Sequence, residues 1–120
     1  MLAHERLRAW ELGHELTLEV YRATERWPKQ ELYGLTSQIR RAAASVPACL
    51  AEGAARRGRR EFRRYADIAL GSLAEVGYLL RLAKDLSLLE AHDFDRLDDL
   101  RRRTGGLTWR LARALGKTGS

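Results

Sequence analysis

Six arginines fall within nine residues of this chain: Arg56, Arg57, Arg59, Arg60, Arg63 and Arg64, opposed only by Glu61. A guanidinium is a planar fork of donors that matches phosphate oxygens, and a run of them neutralises several phosphates together. The expected chemistry is salt-sensitive binding of nucleic acid that reads phosphates rather than sequence, with released counterions supplying the driving force. Like charges this dense also repel one another and cost stability until a counter-charge arrives. The plainer reading is a solvated turn, partly neutralised by nearby acids. No set of stacking aromatics accompanies the run in sequence, so base-specific readout is not expected.

The run closes a longer segment, residues 35–64, with eight arginines against two glutamates, a net charge of +6; the remainder carries fourteen basic and fourteen acidic residues. The whole charge excess of a chain of 120 residues therefore lies in one quarter of it. Arg40 extends the basic surface upstream. Arg41 shares a helical flank with Gln38 and Glu52, and Glu52 precedes Arg56 by four residues, the favourable order for an ion pair. Gln38, Arg41 and Glu52 are assigned to structural or interface contacts. Arg101, Arg102 and Arg103 follow Asp98 and Asp99 at helical spacing and read as a paired, solvated face.

Other reactive side chains are few. The histidines are His4, His14 and His92, and no His-Glu-x-x-His occurs, because Leu18 stands where the second histidine would be. With no Cys-x-x-Cys either, neither a metal nor a cofactor is expected. Cys49 reads as a small buried hydrophobe, without a base to make it a nucleophile. Arg8 and His14 match the spacing of an arginine–histidine pair found in some helical ribonucleases. On a helix, however, they point about 120° apart. The chain reads as non-enzymatic.

These side chains must be carried by helices, since only two prolines interrupt long periodic segments. The expected fold is all-α: one antiparallel, up-down four-helix bundle over residues 1–120, with helices at about 4–26, 35–55, 60–89 and 93–115 and a frayed tail at 116–120. In the second helix Pro47 cannot donate to the Ala43 carbonyl, which predicts a kink. Gly53 and Gly58 loosen the backbone before the third helix. That helix presents Phe62, Ala66, Ala69, Leu73, Val76, Leu80 and Ala83 to the core, widened by Ile68, Leu79 and Leu86. Its small residues, Gly71, Ser72 and Gly77 among them, are expected to let neighbours approach. Asp93 is the expected N-cap of the fourth helix.

The first helix is apolar on two sides. Leu7, Trp10, His14, Leu18 and Tyr21 form one stripe; Leu12, Leu16, Val20, Ala23 and Trp27 form another, nearly opposite. A bundle helix needs an apolar face only a little over ~100° wide, so two faces imply two partners. The Leu7–Tyr21 stripe, with His14 a hydrogen-bonded interface or core histidine, is the candidate contact with another subunit. Which stripe meets the neighbour is left open by spacing alone.

A single cysteine fits a reducing compartment, and the N-terminal residues lack an apolar signal-like core. No apolar run is long enough to span a bilayer. A cytoplasmic protein without membrane partners is expected.

SQIRRAAASVPACLAEG and EFRRYADIALGSLAEV together resemble a bacterial four-helix-bundle family. It includes proteins encoded in intervening sequences of large-subunit ribosomal RNA genes and accessory variability proteins of diversity-generating retroelements. The resemblance spans about residues 10–89 and departs at Cys49, where that family usually has Asn. It implies a ring-like homopentamer whose partner is structured RNA or an RNA–protein complex such as a reverse transcriptase, whereas the charge alone fits RNA or DNA. The alternative is a protein-interaction scaffold whose arginines meet acidic protein surfaces.

Overall fold

Pro28 ends the reach of the first helix and opens a single 3-10 turn over Lys29–Glu31, and the chain reverses. In the computed structural model, which describes His4 and residues 7–116, four helices follow in order: α1 (Arg8–Thr24), α2 (Leu35–Ala55), α3 (Arg59–Asp85) and α4 (Ala91–Gly116). No strand occurs among the described residues. The Glu31 carboxylate accepts from the Leu35 backbone N–H at 3.3 Å, placing negative charge at the start of α2, where the helix dipole favours it.

α1 packs on α2 and α4, and α3 packs on the same two helices. Cross-helix contacts fix the antiparallel register: Thr17 with Ala43, Tyr65 with Glu52, and Arg96 with Glu19. The product is a rod of 48 × 22 × 21 Å. Leu16, Val20, Ile39, Val46, Leu50, Val76, Leu80 and Leu97 fill its axis almost without solvent contact. Thr104 and Thr108 are fully buried too. Their hydroxyls donate to the carbonyls of Leu100 and Thr104, both at 2.8 Å, so no polar atom there is stranded.

α2 runs through Pro47 without a break. The Ala43 carbonyl that Pro47 cannot serve receives the Thr17 hydroxyl of α1 at 3.1 Å. Gly13 makes this possible, because a Cβ there would stand 3.1 Å from Val46 Cγ1 and 3.6 Å from Pro47 Cδ. The two helices cross where α1 has no side chain.

Several expectations change. α1 ends at Thr24 and α3 at Asp85. α3 stops early because Ser87 takes a left-handed φ of 61°. There the Leu88 and Ser87 N–H groups return to the Ala83 and Lys84 carbonyls, at 2.9 and 3.0 Å. Beyond that stop Leu86 is exposed, and Ile68 also faces outward, so neither widens the core. α4 already begins at Ala91, which puts Asp93 inside the first turn rather than at the cap. Gly53 is not a loosening element. A Cβ on it would meet Tyr65 Cβ at 2.8 Å and Phe62 Cδ1 at 2.9 Å, so it brings α2 against α3. Gly71 lies in open space, and Gly77 makes room for the Arg101 side chain instead of a helix backbone. Gly116 closes α4; the rest of the expected frayed tail lies outside the described residues.

Candidate nucleic-acid interface

The α2–α3 connection is Arg56-Arg57-Gly58, and Gly58 turns it with φ +90°, a conformation that a side chain would strain. Up-down topology places at this same end the start of α1 and the end of α4. Four chain segments therefore meet here, and the arginines they carry behave differently from one another.

Arg56 is held inside the chain. Its Nη2 donates to Glu52 Oε2 at 2.6 Å and to the Tyr65 hydroxyl at 3.1 Å, and Tyr65 itself donates to Glu52 at 3.0 Å. Hydrogen bonds from Arg56 and then Tyr65 hold the Glu52 carboxyl below the usual carboxylate range. Arg64 pairs with Glu61 at 3.3 Å and lies 4.7 Å over the Tyr65 ring. Arg59 donates to the Ala114 carbonyl, and Arg63, 3.8 Å from Asp67, packs over Gly116. Both thus bring positive charge to the α4 C-terminus, where unsatisfied carbonyls and the dipole attract cations. Arg57 and Arg60 are exposed and have no ion-pair or hydrogen-bond partner among the described residues.

Arg40 is not part of this cluster. It sits sixteen residues before Arg56, about 24 Å up the helix. There its Nε donates to the buried Thr24 hydroxyl at 2.8 Å, and its guanidinium covers Tyr21 at 4.6 Å. Of the residues assigned to structural polar roles, Glu52 joins the turn network, while Gln38 and Arg41 are exposed on α2. In their place the fold brings Trp109, Arg110 and Arg113, which line one shallow hollow near the end of α4. These were invisible as site residues because more than fifty positions separate them from the turn. Only the pairing of α4 with the start of α3 joins them.

Arg101 and Arg102 are not a purely solvated face. Both bind Asp98, at 2.7 and 2.8 Å, and Asp98 is only 6% exposed. Burial disfavours its charge, yet the hydrogen bonds and charges of Arg101 and Arg102 prevail and hold its carboxyl below the ordinary range. Arg103 pairs with Asp99 more loosely, at 3.9 Å.

The α1 stripe lies on the outside. Leu12, Leu16 and Val20 take the core, leaving Leu18 40% and Tyr21 45% exposed. His14 is exposed and not a core histidine; it stacks on Trp10 with centroids 5.2 Å apart. Leu7 and Trp10 are half-buried. Arg8 pairs with Glu11 at 3.2 Å, apart from His14. Burial first, and the Glu52 charge second, push the Cys49 thiol up, which disfavours a thiolate. Glu90, His92 and Asp93 are the one group among the described residues with metal-ligand proximity, and it is largely exposed. No described helix is long and apolar enough to cross a membrane.

The model of one family, described as 23S rRNA-intervening sequence protein, matches residues 5–108. No curated protein matches the chain. The fold is similar to the crystal structure of a protein of unknown function from the S23 ribosomal protein family of Bacteroides thetaiotaomicron. The TM-score is 0.80 at 17% identity, covering 88% of this chain and 95% of that one.

Proposed function

The chain belongs to the 23S rRNA-intervening sequence protein family, and from that premise we propose that it is a non-enzymatic, self-assembling bundle that binds structured RNA through phosphates. The observation that carries this is the gathering of arginines from the α2–α3 turn, α3 and α4 at one end of the rod, with Arg57 and Arg60 lacking any partner among the described residues. An RNA backbone supplies the missing counter-charge. The outer stripe of α1, where Leu18 and Tyr21 remain exposed, is the surface through which copies assemble, since exposed apolar side chains rimmed by polar residues mark interaction sites. A ring, pentameric as the resemblance implies, repeats the basic end around a rim and multiplies the affinity of any RNA that spans two sites. A reverse transcriptase bound to such RNA is a compatible partner, and the cytoplasm a compatible location.

One observation favours the scaffold reading. Arg56, Arg59, Arg63 and Arg64 already have partners within the chain, which lowers the charge left for a ligand. A gel-shift titration with structured RNA at two salt concentrations decides between the two. Arg57→Gln/Arg60→Gln/Arg64→Gln should lose most binding while retaining helix content, and wild-type binding should fall steeply with salt. If the triple variant binds as tightly as the parent, the scaffold reading replaces this one.

A further inference from the structure

Trp109 stands on α4 with half its surface, 50%, exposed. The Arg113 guanidinium lies over one face of its ring, 4.8 Å from the centroid, and Arg110 shares the same hollow. So does Ala114, whose carbonyl receives Arg59. Five residues separate the indole from that contact, about 7.5 Å along the helix. That is roughly the rise of two stacked nucleotides. An aromatic face beside cations is what single-stranded nucleic acid uses: every base has a π-face to stack, and guanidinium planes extend the platform. A duplex keeps its internal base faces stacked on one another and offers its backbone and groove edges instead. An acidic peptide would satisfy Arg110 and Arg113 but would bring carboxylates toward the negative face of the ring.

Resting on the RNA reading above, we infer that Trp109 is a stacking platform for an unpaired base, which stacks on the ring face that Arg113 does not cover, with the flanking phosphates on Arg110 and the turn arginines. The ligand class is therefore RNA with a loop, bulge or free end at this site, and the platform confers a preference for unpaired structure without a preference for one base.

The test compares a short oligouridylate with a blunt RNA duplex carrying the same number of phosphates. Trp109→Ala should weaken oligouridylate binding by about 5- to 150-fold, leave duplex binding unchanged and preserve helix content; Trp109→Phe should retain most of the affinity. Oligouridylate should quench tryptophan emission in the parent, and Trp109→Phe should lose that quench. Equal oligouridylate affinity in Trp109→Ala and the parent overturns the inference. So does an equal loss for both probes, or a changed sedimentation coefficient, which would place Trp109 between copies of the chain. If the parent binds neither probe, the RNA reading itself falls, and the platform with it.

Discussion

Thr17 Oγ1 lies 3.1 Å from the Ala43 carbonyl oxygen, the acceptor that Pro47 leaves without its helical donor. The same hydroxyl lies 2.9 Å from the Gly13 carbonyl of α1, so its single proton is shared between the two carbonyls at the crossing. A proline inside a helix is thereby tolerated through a tertiary contact.

Thr17→Val keeps the shape but removes the donor, and should destabilise the fold by about 1–3 kcal/mol, the cost of an unsatisfied buried acceptor. In a Pro47→Ala background the helix supplies its own N–H, so the same change should cost clearly less. Urea denaturation of the four members of the cycle reads the coupling. Additive effects would mean that the hydroxyl does not serve this carbonyl.

At the end of α3, Ser87 holds φ 61°, a region that glycine occupies without steric cost. Ser87→Gly should raise stability by about 0.5–1 kcal/mol, the relief of left-handed strain being partly offset by a more mobile unfolded chain. A thermal melt checks it. A lowered melting temperature would show that the serine is not strained.

Much of this architecture was legible in the periodicity of apolar residues, which marks four helices and places Ile39, Leu73 and Leu80 inside, while leaving open which stripe of α1 joins them. What periodicity cannot show is how a polar group is satisfied across elements. That α2 continues through Pro47 was legible; that the Ala43 carbonyl is met by Thr17 was not, because Thr17 lies on another helix. Arg40 read as basic surface, because its partner Thr24 lies on another helix. Asp98 at four residues from Arg102 read as a surface pair, since spacing does not report burial. The basic turn was plain in sequence. Its companions Trp109, Arg110 and Arg113 were not, because antiparallel packing alone brings α4's end beside it.

Asp98 gives the protein an acid limit. Its folded pKa is depressed, so its contribution to stability is fully present above the unfolded value of about 3.9 and is lost as pH falls through the folded value. Asp98→Asn should therefore be less stable than the parent at neutral pH, with the difference shrinking once pH drops below about 4. Denaturation midpoints at several pH values check this. A difference that stays constant down to acid pH would show that the carboxylate charge is not involved.

In the proposed assembly Leu18 and Tyr21 meet another copy. Leu18→Asp/Tyr21→Asp should release monomers of 13.7 kDa without loss of helicity, since both side chains are already partly solvated. Light scattering with circular dichroism reads both quantities. If the parent is itself monomeric at micromolar concentration, the outer stripe of α1 is not an assembly surface.

The central claim is that the basic end of the rod binds phosphates. Its most direct test is the slope of log affinity for structured RNA against log salt concentration. Arg57→Gln/Arg60→Gln should lower the steepness by about 1.4 to 1.8, as expected for two lost phosphate contacts. Arg26→Gln/Arg81→Gln, at the far end of the rod, should leave it unchanged. Identical slopes for the parent and Arg57→Gln/Arg60→Gln would contradict the account.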